Sequence, residues 1–263
     1  MKPAGFWSVR WTLTTLLAIA GVAVLARLGI WQLDRLAERR AFNQRVLSQL
    51  QASPLDLNAA VNQAADLFNM EYRSVTVSGE YDFSQEVLLR NQVLDGQLGF
   101  HVLTPLRIAN SDQMVLVDRG WIPFDQSAPD QRVQFQELGR VVVQGVIRRP
   151  QSKPDFGGIP DPALAEGETR LDAWNIVNLD RIQHQVSAPL LDVYIVQSPE
   201  PGWSGLPARQ LVLPEITEGP HMGYALQWFT FAGILALGYP FFVRRQLRQS
   251  ASRDPQAAAA RVG

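Results

Sequence analysis

Apolar positions are spread unevenly along the chain, and their period changes twice. One apolar run, broken only by Arg27, extends from Trp11 to about Ile30; a second, His221–Val243, carries no charge. Each is long enough to cross a bilayer as a helix, which takes about 20 residues. From Asp34 to about Leu50 the residues Leu36, Phe42, Val46, Leu47 and Leu50 recur at helical spacing with charges between them. The first helix is therefore expected to continue as an amphipathic stalk that Pro54 ends. A short helix is predicted over Leu57 to Phe68.

The period then becomes two. Tyr72–Gly79, Glu86–Arg90, Phe100–Thr104, Met114–Asp118 and Arg140–Gln144 alternate and are rich in β-branched residues, with Asp95-Gly96 and Gly120 at turn positions. Trp174–Asn178 and Val193–Val196 read as later strands, with a helix of about ten residues over Leu179–Ser187 between them. Val75-x-Val77-x-Gly79 and Val141-x-Val143-x-Gly145 share one pattern and read as two similar edge-turn strands. Short, regularly spaced strands predict an antiparallel sandwich or barrel. Gln151–Glu168 and Pro199–Pro220 are rich in Pro and Gly and read as long loops, and Ser250–Gly263 as a disordered tail.

The first apolar run has two readings. Lys2 and Arg10 followed by an apolar core over Thr12–Ala26 and Val24-Leu25-Ala26 suit a cleaved signal peptide. Leu28, Gly29, Ile30, Trp31 and Leu33 carry the apolar character past Arg27, whose side chain can reach the headgroups, and suit a retained anchor. Arg244, Arg245, Arg248 and Arg253 follow the second run, which places the C-terminus in the cytoplasm and the middle of the chain outside. The first run disagrees: Lys2 and Arg10 precede it, but Arg35, Arg39, Arg40 and Arg45 follow.

Charge and composition narrow the chemistry. The 263 residues carry a formal net charge of -1, which gives no electrostatic footprint for nucleic acid. With no cysteine, disulfides, thiolate catalysis and thiol-based metal transfer are excluded. No nucleophile elbow, phosphate-binding glycine loop or zinc-protease motif is present. Acids in the Asp155–Asp172 region have no spacing that points to hydrolysis. Of three histidines, His101 falls in a strand pattern and reads as structural, and His184 lies on a short helix and reads as solvent-exposed. Arg119 reads as an ion-pair partner, of Asp118 for example, or as a ligand for an anionic group such as a haem propionate.

His221 differs in its setting, because it heads the second apolar run. On a helix it shares a face with Tyr224, Ala225, Trp228 and Ala232, and Gln227 needs a partner inside a bilayer. Two readings stay open. His, Tyr and Trp all favour membrane interfaces. A neutral imidazole among aromatic side chains also suits an axial ligand to haem iron.

Four motifs, in order, give the chain a family resemblance: Leu28-Gly-Ile-Trp-Gln-Leu-Asp-Arg-Leu36; Tyr72-Arg-x-Val-x-Val-x-Gly79-x-Tyr81; Gly99-Phe-His-Val-Leu-Thr-Pro-Leu106 with Val115-Leu-Val-Asp-Arg-Gly-Trp-Ile-Pro123; and His221-Met-Gly-Tyr-Ala-Leu-Gln-Trp-Phe229. The chain resembles the Surfeit locus family of cytochrome c oxidase assembly factors. Ala37-Glu38 stands where the family often has Trp-Lys, and Gly219-Pro220 where asparagines often precede the histidine.

The resemblance implies a membrane-anchored α+β protein of the bacterial inner membrane, not an enzyme. Residues 1–10 would be cytoplasmic, 11–33 and 221–243 transmembrane helices, 34–220 a β-rich periplasmic domain with a helical stalk, and 244–263 a cytoplasmic tail. It implies a retained first helix and a role where haem a enters the oxidase catalytic subunit. His221 would be the haem a ligand, with Tyr224, Gln227, Trp228 and, more weakly, Trp31 lining the site. The catalytic subunit, haem a synthase and membrane lipid are the implied partners.

Overall fold

The computed structural model describes residues 9–63, 65–164 and 167–259, with side chains as far as Gln249. The expected segment ahead of the first helix, Lys2 included, falls outside the described residues up to residue 8, as do residues 260–263. The chain forms two compact units, Met1–Gln44 with Ile216–Gly263, and Arg45–Glu215.

The first unit pairs the two long helices of the chain. Helix α1 (Val9–Gln51) joins the first apolar run and the predicted stalk without a break. The last helix of the chain spans His221–Ala259, so the segment expected as a disordered tail continues it as helix as far as Ala259. Both are long and apolar enough to cross a membrane. They run antiparallel. Gln32 meets His221, Gly29 lies under the ring of Phe229, Gly21 faces Leu235, and Thr15 meets Tyr239. On the last helix His221, Ala225, Trp228, Ala232, Leu235 and Tyr239 form the covered seam, spaced alternately by four and three residues. That period of 3.5 keeps one face on the partner helix. Glycine at position 29 permits close approach: a Cβ there would lie 2.7 Å from the Phe229 ring, which would have to shift.

The second unit begins with the short strand β1 (Leu55–Asp56) and helix α2 (Leu57–Asn62), capped by the Asp56 carboxylate. The helix predicted over 57–68 stops at Asn62, and a separate 3-10 turn follows at Leu67–Met70. Strands β2 (Ser74–Tyr81), β3 (Val87–Leu94), β4 (Gln97–Ile108) and β5 (Met114–Pro123) come next. Helix α3 (Pro129–Arg132), strands β6 (Arg140–Arg148) and β7 (Ala173–Trp174), helix α4 (Leu179–Ile182) and strand β8 (Leu190–Gln197) complete the unit. The long C-terminal helix is α5.

The sheet order is β1-β2-β6-β8-β5-β4-β3-β7, and an added β2–β4 pairing closes β2, β6, β8, β5 and β4 into a barrel. Outside the barrel the short β1–β2 and β3–β7 pairs are parallel; within it most pairs are antiparallel, as expected, but β5 and β8 run parallel. The reason is connectivity: a long crossover through β6, β7 and α4 returns β8 beside β5. Order and directions match the five-stranded Greek-key barrels of the OB type. The two Val-x-Val-x-Gly segments turn out to be direct partners, Val77 opposite Val143, with Gly79 opposite Val141 and Val75 opposite Gly145. Each glycine sits where its strand passes from one neighbour to the next, and a Cβ there would strike the backbone of the next strand.

Alternate residues fill the barrel: Val75, Val77, Leu106, Val115, Val117, Val143, Ile147, Val193 and Ile195, plugged by Leu57 and Leu67. The other face of β3, β4 and β5 is covered by Trp174, Val177, Leu179 and Ile182. Every residue of β5 from Met114 to Ile122 is buried for this reason.

Candidate functional site

The local sequence brings His221 to its place through the segment that precedes α5. The Thr217 hydroxyl accepts from Gly219 N–H, and Gly219 adopts φ +66°, a left-handed conformation that glycine takes without strain. Pro220 then caps α5, its carbonyl accepting from Tyr224 N–H at 3.1 Å. Three side chains of α1 hold the segment. Arg39 Nε and Asn43 Nδ2 donate to the Thr217 carbonyl at 2.9 and 3.2 Å. The Arg40 guanidinium engages both carboxylate oxygens of Glu218, at 2.8 and 2.9 Å. Arginine matches a carboxylate in this two-point manner, which fixes direction as well as distance. That contact holds the Glu218 carboxyl below the usual carboxylate range.

The imidazole itself is oriented by Gln32, whose Oε1 lies 2.8 Å from Nδ1. An amide oxygen only accepts, so Nδ1 is the donor in this contact, and in the neutral imidazole Nε2 is then the nitrogen with the lone pair. A partner on one ring nitrogen is the usual way a ligating histidine is fixed in tautomer and direction. Gly219 borders the Nε2 edge: a Cβ there would sit 3.6 Å from Nε2.

The other expected lining residues spread over two faces. Trp228 is part-buried in the seam, edge-on to Phe231 at 6.2 Å. Tyr224 is 47% exposed and Gln227 is exposed, both on the flank of α5. Trp31 is 42% exposed on α1, with the Arg35 guanidinium 5.9 Å from its ring centre. The inward glutamine is Gln32. Its signal in the sequence is its phase, since it lies three residues after Gly29 and four before the buried Leu36.

The remaining polar candidates are tied up within the barrel unit. Asp118 and Arg119 are neighbours on a strand and point to opposite faces. Asp118 therefore pairs with His101, Nδ1 to Oδ2 at 2.7 Å, and Arg119 pairs with Glu86 and Glu137 instead. Arg119 is 1% exposed and out of reach of a membrane ligand. Asp172 accepts from Arg132 at 2.9 Å, and His184 is exposed. Among the described residues no group of three or more His, Asp or Glu could hold a metal ion.

The His101 pair makes a testable pH effect. Burial alone lowers the imidazole pKa, but the charge and hydrogen bond of Asp118 together outweigh it and raise it above 6.5. A raised histidine stabilises the fold below the unfolded value near 6.5 and loses that contribution as pH rises through the folded one. His101→Gln is expected to lower the melting temperature more at about pH 6 than at about pH 8. A proton titration that placed His101 below 6.5 would contradict this.

The SURF1 family model matches residues 19–233. The chain is similar to a SURF1-like protein of Monosiga brevicollis, 26% identical over 239 residues that cover 87% of each chain. It is also 26% identical over 234 residues to an uncharacterized SURF1-like protein of Mycobacterium tuberculosis, covering 86% of this chain and 81% of that one. Over 234 residues it is also 26% identical to Surfeit locus protein 1 of Mus musculus, covering 83% of this chain and 72% of that one. The matched span takes in Gly21, Gly29, Gln32 and His221, the residues at which the two helices meet.

Proposed function

The chain belongs to the SURF1 family, and from that premise we propose that it assists assembly of a haem–copper cytochrome c oxidase by holding haem a briefly before it enters the catalytic subunit. Both long helices cross the bacterial inner membrane, and residues 34–220 face the periplasm. The run of arginines after the second span supports that orientation. The catalytic subunit is the receiving partner, and haem a synthase the donor.

One observation carries the reading: His221 heads a membrane-length helix with Nδ1 held by Gln32, which leaves Nε2 as the ligating nitrogen of the neutral ring. The residues fit the cargo. Haem a needs an apolar surface at membrane level and an axial donor, and Trp228 and Tyr224 flank the histidine on its helix. A single axial histidine is an exchangeable hold, suited to hand-over. The chain supplies no thiolate, which points away from copper as the cargo.

The test is to co-express the protein with the enzymes that make haem a, purify it in mild detergent, and record the reduced-minus-oxidised spectrum. A haem a band in near-stoichiometric amount supports the reading. Protein free of haem a from a producing host would overturn it. The chain would then be a scaffold that stabilises an oxidase intermediate without holding the cofactor.

A further inference from the structure

An apolar cleft in the helix pair lies far from His221, toward the opposite end. It has a volume of about 880 Å³, within the range of roughly 300–1,000 Å³ that ligand pockets occupy. Its origin is local. Ala18 on α1 and Ala236 on α5 leave space between the helices, and Pro240 has no N–H to bond the Ala236 carbonyl. The hydroxyls of the wall bond one another, that of Tyr239 to those of Thr15 at 2.7 Å and Thr14 at 3.1 Å. The wall therefore offers water little to bond.

At one end the cleft changes character. Arg244 and Arg248 line it, four residues apart and so on one face of α5. No carboxylate is among its lining residues, and neither guanidinium has a hydrogen bond or ion pair among the described residues. Arg245, between them in sequence, does not line it. An apolar cleft that ends in two guanidinium groups with no partner among the described residues is complementary to a hydrocarbon chain bearing an anion at its head.

We infer that this cleft is a binding site for an anionic phospholipid, with one acyl chain along Ala18 and Ala236 and the phosphate on Arg244 and Arg248. Arginine suits phosphate because its planar fork donates two hydrogen bonds at once. Basic residues next to a membrane attract anionic lipid in any protein. The distinguishing feature is position, since only the two arginines that line the cleft hold the headgroup and Arg245 is dispensable. The site rests on the proposal that both helices cross the membrane. It does not depend on haem.

Native mass spectrometry of the full chain, delipidated in mild detergent and offered equal phosphatidylglycerol and phosphatidylcholine with the same acyl chains, tests the site. Wild type should retain phosphatidylglycerol with a preference of about tenfold or more. Arg244→Gln with Arg248→Gln should bring the ratio near parity, the corresponding double lysine variant should keep most of it, and Arg245→Gln should leave it unchanged. Ala236→Phe fills the cleft and should lose both lipids. Equal retention of the two lipids by wild type overturns the site, as does a preference that survives the double glutamine change or falls equally with Arg245→Gln. Alkaline extraction of membranes from the same cells separates the premises. A chain retained there without lipid preference sinks the lipid site alone, and a chain released sinks the membrane reading with it.

Discussion

His221→Ala should purify folded and without haem a from a host in which the wild type carries it. No other histidine and no cysteine lies in the helix pair, since the chain has no cysteine and His101 and His184 belong to the barrel unit. The fold should survive. Alanine is a good helix former, and the position is only part-buried at the first residue of α5. Gln32→Leu is the finer probe. It keeps the ligand but removes the acceptor that fixes the Nδ1 proton, and losses of outer partners typically weaken metal binding about 10–100-fold. The measurement is the haem a band per protein together with its loss on dilution into apo-myoglobin. Full haem a in His221→Ala would show that the iron is held elsewhere or only by apolar contact. A Gln32→Leu protein that kept wild-type retention would remove Gln32 from the site while leaving His221 in it.

Different parts of this molecule were legible in the sequence to different degrees, for physical reasons. Helix existence followed from the apolar runs and from the spacing of Leu36, Phe42 and Val46, and α1 is continuous through both. Strand positions followed from alternation, although β4 and β5 extend well beyond the predicted cores because strand ends are set by pairing partners. The parallel β5–β8 contact had no local signal, since direction depends on the route of the crossover. At the site, His221 was visible because a titratable group at the head of an apolar run is costly and rare. The inward face of Gln32 was legible from its phase, but its contact with His221 was not, because that depends on the axial register between two helices whose paired residues lie 189 apart in sequence. Gln227 drew attention for its polarity but lies on the exposed flank, whereas the phase of the seam selects Gln32. The opposite faces of Asp118 and Arg119 were deducible from strand period two, and their true partners were not.

Replacing Arg119 by leucine is expected to cost about 3–5 kcal/mol of stability, the usual effect of breaking a buried ion pair from one side. Arg119 lies between Glu86 at 3.4 Å and Glu137 at 3.1 Å, donates to the Phe135 carbonyl, and packs against the rings of Tyr81 and Phe83. Glu86 is 6% exposed and accepts from Thr104 at 2.8 Å, with Arg132 a further 3.7 Å away. Burial already raises the Glu86 carboxyl above its ordinary pKa of 4.5, against the opposing pull of Thr104, Arg119 and Arg132. Without Arg119 one of those pulls is gone and the pKa rises further. The sign of the pH dependence follows: the deficit is full while Glu86 is ionised and narrows as pH falls through the raised value. Glu86→Gln in the same chain removes the stranded charge, so the double variant should be more stable than Arg119→Leu alone. Denaturant midpoints of the wild type, both single variants and the double variant at about pH 5 and pH 8 close the cycle. Strict additivity of the two changes, or a deficit that does not narrow in acid, would show that Arg119 acts through packing against Tyr81 and Phe83 and not through its charge.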